Sequence, residues 1–195
     1  MCGIIGLFLK DDKLNCNLGS MLSSMLNTMS DRGPDSSGLA IYNCRDIDKI
    51  KLTLRSENHQ QDFKEIRKGL LQKLKLEFSL REHFNHIVLT VNKKDVDKVE
   101  SFLKKSFSNL SLMSSGENIE IFKEVGLPKN VIQKFGINEM EGTHGIGHTR
   151  MATESDVDIK SAHPYWAFPF EDVSVVHNGQ LTNYWGNRRV LERKG

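Results

Sequence analysis

The pattern of apolar and polar positions at the start of the chain predicts a strand, a helix and a second strand. Residues 3–9 form a short apolar run with β-branched side chains, which favours a strand. Residues 18–30 predict a helix that buries one apolar stripe, made of Met21, Leu22, Met25, Leu26 and Met29. The stretch 32–38, with its glycines and proline, ends this helix in a loop, and residues 39–42 favour the second strand.

The middle of the chain, residues 45–140, has a different pattern in which strands and helices alternate. Strands are predicted at 50–54, 86–91 and 117–125, and helices at 61–78, 95–107 and 127–135. The first of these helices rests on apolar residues spaced three or four apart: Phe63, Ile66, Leu70, Leu74 and Phe78. Helices on one face of a small sheet would make this segment an α+β insertion. The predicted organisation is therefore one domain from 1–44 and 141–195, interrupted by the insertion 45–140, whose role the sequence does not assign.

The last part of the chain returns to short β-like runs separated by glycines and polar turns. These runs lie at 145–150, 161–164 and 173–179. Polar side chains of catalytic types are denser here than a plain core requires. A final helix is indicated from about residue 187.

Composition and charge narrow the classes of protein. The chain has 195 residues, of which 38% are hydrophobic, so it can bury a core. Its formal charge of +2 and its lack of an aromatic RNA-binding signature argue against a nucleic-acid partner. No apolar run approaches ~18 residues, so no membrane span is expected, and the start does not resemble a signal peptide. Three cysteines without disulfide or metal spacing indicate a cytoplasmic location.

Cys2 follows only the initiator methionine, and removal of Met1 would leave a cysteine with a free amine. An α-amino group titrates near ~7.7–8.0 and can take the proton of the thiol beside it, so nucleophile and base would belong to one residue. The competing interpretation is a buried structural cysteine, which position alone favours.

Two further features gain meaning beside such a nucleophile. Asn178-Gly179 could offer a side-chain amide and an unshielded backbone N–H to a tetrahedral oxyanion, although the pair taken alone favours an ordinary Asn-Gly hairpin turn. Arg150 follows a glycine-rich strand, and its guanidinium could bind a carboxylate in a bidentate manner. A surface ion pair is the alternative for Arg150.

Five motifs come in the order found in class II glutamine amidotransferases, a group of N-terminal nucleophile hydrolases. They are Met1-Cys2-Gly3-Ile4-Ile5-Gly6, Arg32-Gly33-Pro34-Asp35-Ser36-Ser37-Gly38, Gly147-His148-Thr149-Arg150-Met151-Ala152-Thr153, Ala162-His163-Pro164 and Val176-His177-Asn178-Gly179. The resemblance covers residues 1–44 and 141–195 and is strongest to the glutamate synthase group and its stand-alone relatives. It implies an α+β fold in which two antiparallel sheets form a four-layer αββα sandwich.

The resemblance also implies a role for each matched residue. Cys2 would be the nucleophile, and Asn178-Gly179 would form the oxyanion hole. Arg150 would bind the α-carboxylate of L-glutamine with help from Thr153, and Arg32 would support the loop around Cys2. The reaction would give glutamate and ammonia through a γ-glutamyl thioester, with no cofactor and no metal. A synthase subunit would receive the ammonia, and an oligomer is compatible with this arrangement.

Some positions depart from the family pattern. Met151 stands where several members of the family carry a tryptophan, and Glu154 stands where members often carry a histidine. Both positions bear on how the glutamine loop closes and on which synthase is served. The acidic residue that binds the amino group of glutamine follows the Asn-Gly pair in the family and lies beyond Gly195, so the domain is expected to be incomplete at its C-terminus.

Two other functions are compatible with parts of the sequence. His144, His148, His163 and His177 could suggest a metal hydrolase, but Gly145 and Gly147 oppose the helix that would give the first pair its spacing. A non-catalytic regulatory or assembly subunit that keeps the amidotransferase fold is the second alternative.

Overall fold

The computed structural model describes residues 2–43, 46–152, 156–179 and 181–194. Its strands in chain order are β1 (Gly3–Phe8), β2 (Ser36–Tyr42), β3 (Lys49–Arg55), β4 (Phe78–His83), β5 (His86–Asn92), β6 (Ser111–Gly116), β7 (Ile119–Val125), β8 (His144–Arg150), β9 (Tyr165–Trp166) and β10 (Ser174–Val175). Its α-helices are α1 (Leu18–Thr28), α2 (His59–Lys68), α3 (Val96–Ser106), α4 (Pro128–Phe135) and α5 (Tyr184–Glu192). The mixed α+β class with antiparallel sheets is confirmed.

The first sheet has the strand order β1-β8-β2-β7, and every neighbouring pair is antiparallel. The central strand β8 pairs with β1 on one side and β2 on the other, so that Gly3 and Ser37 both lie opposite Thr149. This register brings the start of β1, the start of β2 and the end of β8 together. Three segments that are far apart in the sequence therefore meet at one end of the sheet.

One face of this sheet is covered by α1 and α4. Of the stripe predicted for α1, Leu22 and Leu26 are buried, as is the neighbouring Leu18, whereas the three methionines are partly buried against the same core. Glycines in β8 allow the close approach, because a Cβ added at Gly145 would lie 2.6 Å from Leu22 Cδ1. Helix α4 begins at Pro128, which suits the first turn, and ends at Gly136, whose φ of 66° lies in the left-handed region.

The second sheet has the order β4-β5-β3-β6 and is also antiparallel throughout. With α2 and α3 it forms the β-α-β-β-α-β succession of a split βαβ, or ferredoxin-like, unit. Both helices bury apolar residues on the same face of the sheet, and a separate core results, made of Ile50, Leu52, Leu54, Phe63, Ile66, Leu70, Ile87, Leu89, Val91, Val99 and Leu103.

Strand β7 and helix α4 fall within the segment 45–140 but belong to the first sheet and its core. Strand β7 pairs with β2 over seven residues, and Phe135 of α4 packs in the same cluster as Leu22 and Leu39. On the other side, the buried Glu120 of β7 receives a hydrogen bond from Arg81 of β4 at 2.5 Å. The division into 1–44 plus 141–195 and 45–140 stays a prediction, and β7 is the strand through which the two sheets contact each other.

The prediction of one helix over 61–78 was wrong. Helix α2 gives way to a π-helical turn at Gly69–Leu74, and Lys75 adopts a left-handed conformation with φ of 52° that ends the helix. Phe78 then begins β4. The strand predicted at 117–125 begins only at Ile119, because Glu117 lies in the turn after β6, a strand that the sequence pattern did not indicate. None of the described helices is both long and apolar enough to span a membrane.

Candidate active site

Cys2 lies immediately before β1, partly buried, at the end of the first sheet where β8 also ends. Its thiol Sγ is 3.8 Å from the backbone oxygen of Met151. Its backbone carbonyl oxygen accepts two hydrogen bonds, one from Nε of Arg32 at 3.3 Å and one from Nδ2 of Asn178 at 3.1 Å. Two charged or polar side chains from different motifs therefore converge on the same peptide group.

Glycines explain why the three motifs can approach so closely. A Cβ at Gly3 would lie 2.7 Å from Oγ1 of Thr149, and one at Gly33 would lie 2.5 Å from the backbone nitrogen of Arg150. Real Cβ atoms do not make such contacts, so larger residues would push the Arg32 loop and β1 away from β8. The hydroxyl of Thr149 completes the junction by donating to the carbonyl of Met29 at 3.1 Å.

Arg150 ends β8 directly beside this junction and is only 6% exposed. Its Nη1 donates to the backbone oxygen of Asp156 at 3.1 Å. The loop that contains Arg32 is joined to it through the backbone nitrogen of Asp35, which donates to the carbonyl of Arg150 at 3.0 Å. The side chain of Arg150 is therefore enclosed at the end of β8 and is not a freely exposed surface group.

Asn178 and Gly179 follow β10, which is shorter than the strand predicted at 173–176. Gly179 has φ of 149°, a value that side-chain-bearing residues rarely adopt, so the turn requires glycine at this position. The side-chain amide of Asn178 points to the Cys2 carbonyl, as described above. The residues that the sequence proposes as nucleophile and oxyanion donor are thus in direct contact.

Histidines from the later motifs pack behind this turn. Nε2 of His148 donates to the backbone oxygen of His177 at 3.0 Å, and the rings of His148 and His163 lie 4.3 Å apart. Burial lowers the pKa of His148 to about 4 and that of His163 to about 3. Both rings are therefore neutral near pH 7, which allows two imidazoles to stack without repulsion.

Lys123 is a site residue that the sequence analysis missed. It lies on β7 and is only 4% exposed, with Nζ donating to the backbone oxygens of Ala162 at 2.6 Å and Pro164 at 3.2 Å. The available signal was its alternation with Ile119 and Ile121, which places the lysine on an inward strand position.

Thr153, a predicted substrate-binding residue, lies outside the described residues. The histidines named for the metal-hydrolase alternative can be placed. Among the described residues, no three His, Cys, Asp or Glu side chains come together in a way that could hold a metal ion. His144 lies at the other end of β8 from this cluster and stacks on Tyr42 with 4.3 Å between ring centroids.

Comparison with known proteins gives two relatives that match the chain over its whole length. The chain is 43% identical over 195 residues to the glutamine amidotransferase-like protein GlxB of Rhizobium meliloti, covering 100% of the chain and 64% of that protein. It is 33% identical over 209 residues to a protein of Methanothermobacter thermautotrophicus whose name proposes a glutamine amidotransferase, covering 100% and 66% respectively. A part amounting to 41% of the chain is 38% identical to 13% of the glutamine–fructose-6-phosphate aminotransferase of Bradyrhizobium diazoefficiens. No family model matches the chain.

These relatives show that the chain carries a class II glutamine amidotransferase domain. The chain spans just under two thirds of the length of the first two relatives, 64% and 66%.

Proposed function

We propose that this domain catalyses the glutaminase half-reaction of a class II amidotransferase, with Cys2 as the nucleophile. The observation that carries this proposal is the convergence of Arg32 and Asn178 on the Cys2 carbonyl, which holds the N-terminal residue in one position. An N-terminal nucleophile needs such fixation, because a chain terminus is otherwise poorly ordered.

In the proposed reaction the free α-amine of Cys2, exposed by removal of Met1, accepts the proton of the thiol. The sulfur attacks the side-chain carbonyl carbon of glutamine, and the resulting oxyanion receives hydrogen bonds from the Asn178 amide and the Gly179 N–H. Collapse of the intermediate breaks the C–N bond, and the amine returns the proton to the leaving ammonia. Water then hydrolyses the γ-glutamyl thioester to glutamate and regenerates the thiol.

Arg150 is the proposed ligand of the glutamine α-carboxylate, assisted by Thr153, while Arg32 supports the loop around Cys2 at the edge of the substrate site. A guanidinium suits this task because it remains charged and offers parallel donors to both carboxylate oxygens. Its burial at the end of β8 supports the role, since a charge–carboxylate contact is stronger where water is partly excluded.

The wider proposal concerns the whole protein. We infer that the complete domain is a four-layer αββα sandwich of the N-terminal nucleophile hydrolase type, working in the cytoplasm. The ammonia would pass to a synthase partner or domain of the glutamate-synthase-like kind. The names of the relatives, which include a glutamine–fructose-6-phosphate aminotransferase, support an acceptor of ammonia without identifying it.

The test is ammonia release from L-glutamine by the native full-length protein, alone and with its partner synthase. Cys2→Ala should abolish the activity and leave the circular dichroism spectrum unchanged. Cys16→Ala, which removes a free and exposed thiol, is the matched control and should keep full activity. Turnover retained in Cys2→Ala, or no turnover by the wild type under either condition, would support a non-catalytic regulatory or assembly subunit instead.

A further inference from the structure

Among the residues that the structure describes, Lys123 is the only buried lysine. It lies on β7, the strand of the first sheet that also contacts the second sheet. Its neighbours two residues away on the same face of β7 are apolar: Ile121 packs with Ala40 and Tyr42. An ammonium group costs several kcal/mol to bury unless it is hydrogen-bonded, so its surroundings must supply acceptors.

The acceptors come from one short segment of the candidate site. Nζ of Lys123 donates to the carbonyl of Ala162 at 2.6 Å and to that of Pro164 at 3.2 Å, so the two bonds flank His163. The ammonium also lies 4.8 Å from the ring centre of Tyr165. Lys123 therefore holds the backbone on both sides of His163 in a fixed place against β7.

From His163 a continuous series of contacts reaches the candidate oxyanion donor. The His163 ring contacts that of His148 in a tilted arrangement with 4.3 Å between the ring centroids, and His148 donates to the carbonyl of His177 at 3.0 Å. The next residue, Asn178, donates from its side-chain amide to the carbonyl of Cys2. A displacement of the His163 segment would therefore move the peptide that carries Asn178.

We propose that Lys123 is a positioning residue that fixes the oxyanion donor Asn178 relative to Cys2 through the His163–His148–His177 contacts. This inference rests on the proposed glutaminase function for its kinetic consequence only. Its structural part concerns the separation of Asn178 from Cys2 and is independent of any reaction.

The charges around Lys123 fit a fixed cation that holds carbonyl groups. Burial lowers its pKa to about 8, the Asp158 carboxylate acts in the opposite direction, and the Arg55 guanidinium adds to the lowering. The lysine is therefore mainly protonated near pH 7 and has its donors available to both carbonyls. Strand β7, which carries Lys123, also contacts strands β3 and β6 of the split βαβ unit.

The kinetic test is a double-mutant cycle on the native full-length protein with its partner. Lys123→Met keeps the aliphatic stem and removes the donors, and should lower kcat by about 10- to 100-fold with KM nearly unchanged, as small misplacements of catalytic groups do. Because Lys123 acts through Asn178, the double variant with Asn178→Ala should be no slower than Asn178→Ala alone. If the fold-losses in kcat of the two single variants multiply in the double variant, the two residues act independently and the proposal is overturned. Lys134→Met, at an exposed position of α4, is the control.

The structural test is a crystal structure of Lys123→Met. We expect the 162–164 segment to shift and the hydrogen bond from Asn178 Nδ2 to the Cys2 carbonyl to be lost. An unchanged hydrogen bond would overturn the inference, whereas an inactive wild type would overturn only the proposed function. If Lys123→Met does not fold, Lys123→Gln, which keeps a donor on a shorter side chain, takes its place in both tests. Multiplicative losses, or wild-type kcat together with a shifted 162–164 segment, would contradict the proposal.

Discussion

The side-chain amide of Asn178 donates a hydrogen bond to the backbone carbonyl of Cys2 at 3.1 Å, across 176 positions of the chain. The same carbonyl accepts a hydrogen bond from Arg32. The start of the chain, the loop after α1 and the turn after β10 therefore meet at one peptide group. The contact joins the residue proposed to attack an amide to the residue proposed to stabilise the product of that attack.

Replacing Asn178 with alanine should lower kcat for glutamine hydrolysis by roughly 10²–10³, because one donor to the oxyanion is lost. KM should change little, since this hydrogen bond strengthens in the transition state. Steady-state kinetics of ammonia release measure both parameters. Asn187→Ala, which removes an exposed amide bonded to the carbonyl of Thr182, should keep wild-type kcat. An Asn178→Ala enzyme as fast as the wild type would remove Asn178 from the oxyanion hole.

Replacing Arg150 with methionine should raise KM for glutamine by about 10- to 100-fold, since a hydrogen bond to a charged group contributes ~1.5–3 kcal/mol. Thermal unfolding of the variant would verify that loss of the contact with the Asp156 carbonyl leaves the fold intact. Arg188→Met, on the exposed side of α5, serves as the control. Loss of kcat without any rise in KM would contradict a role in carboxylate binding.

Gly33→Ala should destabilise the protein by about 1–3 kcal/mol, because the added methyl would meet the backbone of Arg150 at 2.5 Å. Gly6→Ala is the matched substitution, since its methyl would find the nearest atom 3.8 Å away. Urea unfolding of the two variants gives the comparison. Equal stabilities would show that the loop after α1 does not need to approach β8 so closely.

The buried His86 should make the fold weaker in acid. Burial is the main cause that lowers its pKa to about 3, whereas an unfolded histidine titrates near ~6.5. The unfolded chain therefore binds a proton that the folded protein excludes, and stability is lost as the pH falls through 6.5 towards 3. From pH 7.5 to 5.5 this one group should cost about 1.4 kcal/mol.

The substitution that tests this is His86→Phe, because an aromatic ring can keep the contacts with Phe122 and Phe135. Urea unfolding at pH 7.5 and 5.5 should show a smaller loss of stability in the variant than in the wild type. If both proteins lose the same free energy, His86 does not titrate as its burial requires.

Local patterns predicted the elements whose signals are unambiguous. Helix α4 has a proline at its start and a glycine after its end, and the predicted bounds, 127–135, were correct at the C-terminal end and one residue early at the start. The prediction of one helix over 61–78 was wrong because the apolar pattern is ambiguous at its end. The four-residue step from Leu74 to Phe78 suits a helix, whereas the alternation of Phe78 and Leu80 suits a strand. The left-handed Lys75 that separates the two elements has no sequence signal, since lysine rarely adopts that conformation.

The candidate site could be foreseen only where a motif carried it. Cys2, Arg32 and Asn178 were named from the sequence, and the structure brings them into contact. For Lys123 the alternation along β7 indicates an inward position, but its two acceptors could not be foreseen, because they are backbone carbonyls 39 and 41 positions away. Every residue has a backbone carbonyl, so side-chain types and their spacing do not reveal which carbonyls will accept these hydrogen bonds.

The most direct measurement is the mass of the N-terminal peptide of the native protein after reaction with a thiol-reactive glutamine analogue. We predict a peptide that begins at Cys2, lacks Met1 and carries a single label on the Cys2 sulfur. A peptide that retains Met1, or a label found on Cys16 or Cys44 in its place, would contradict attack by an N-terminal cysteine.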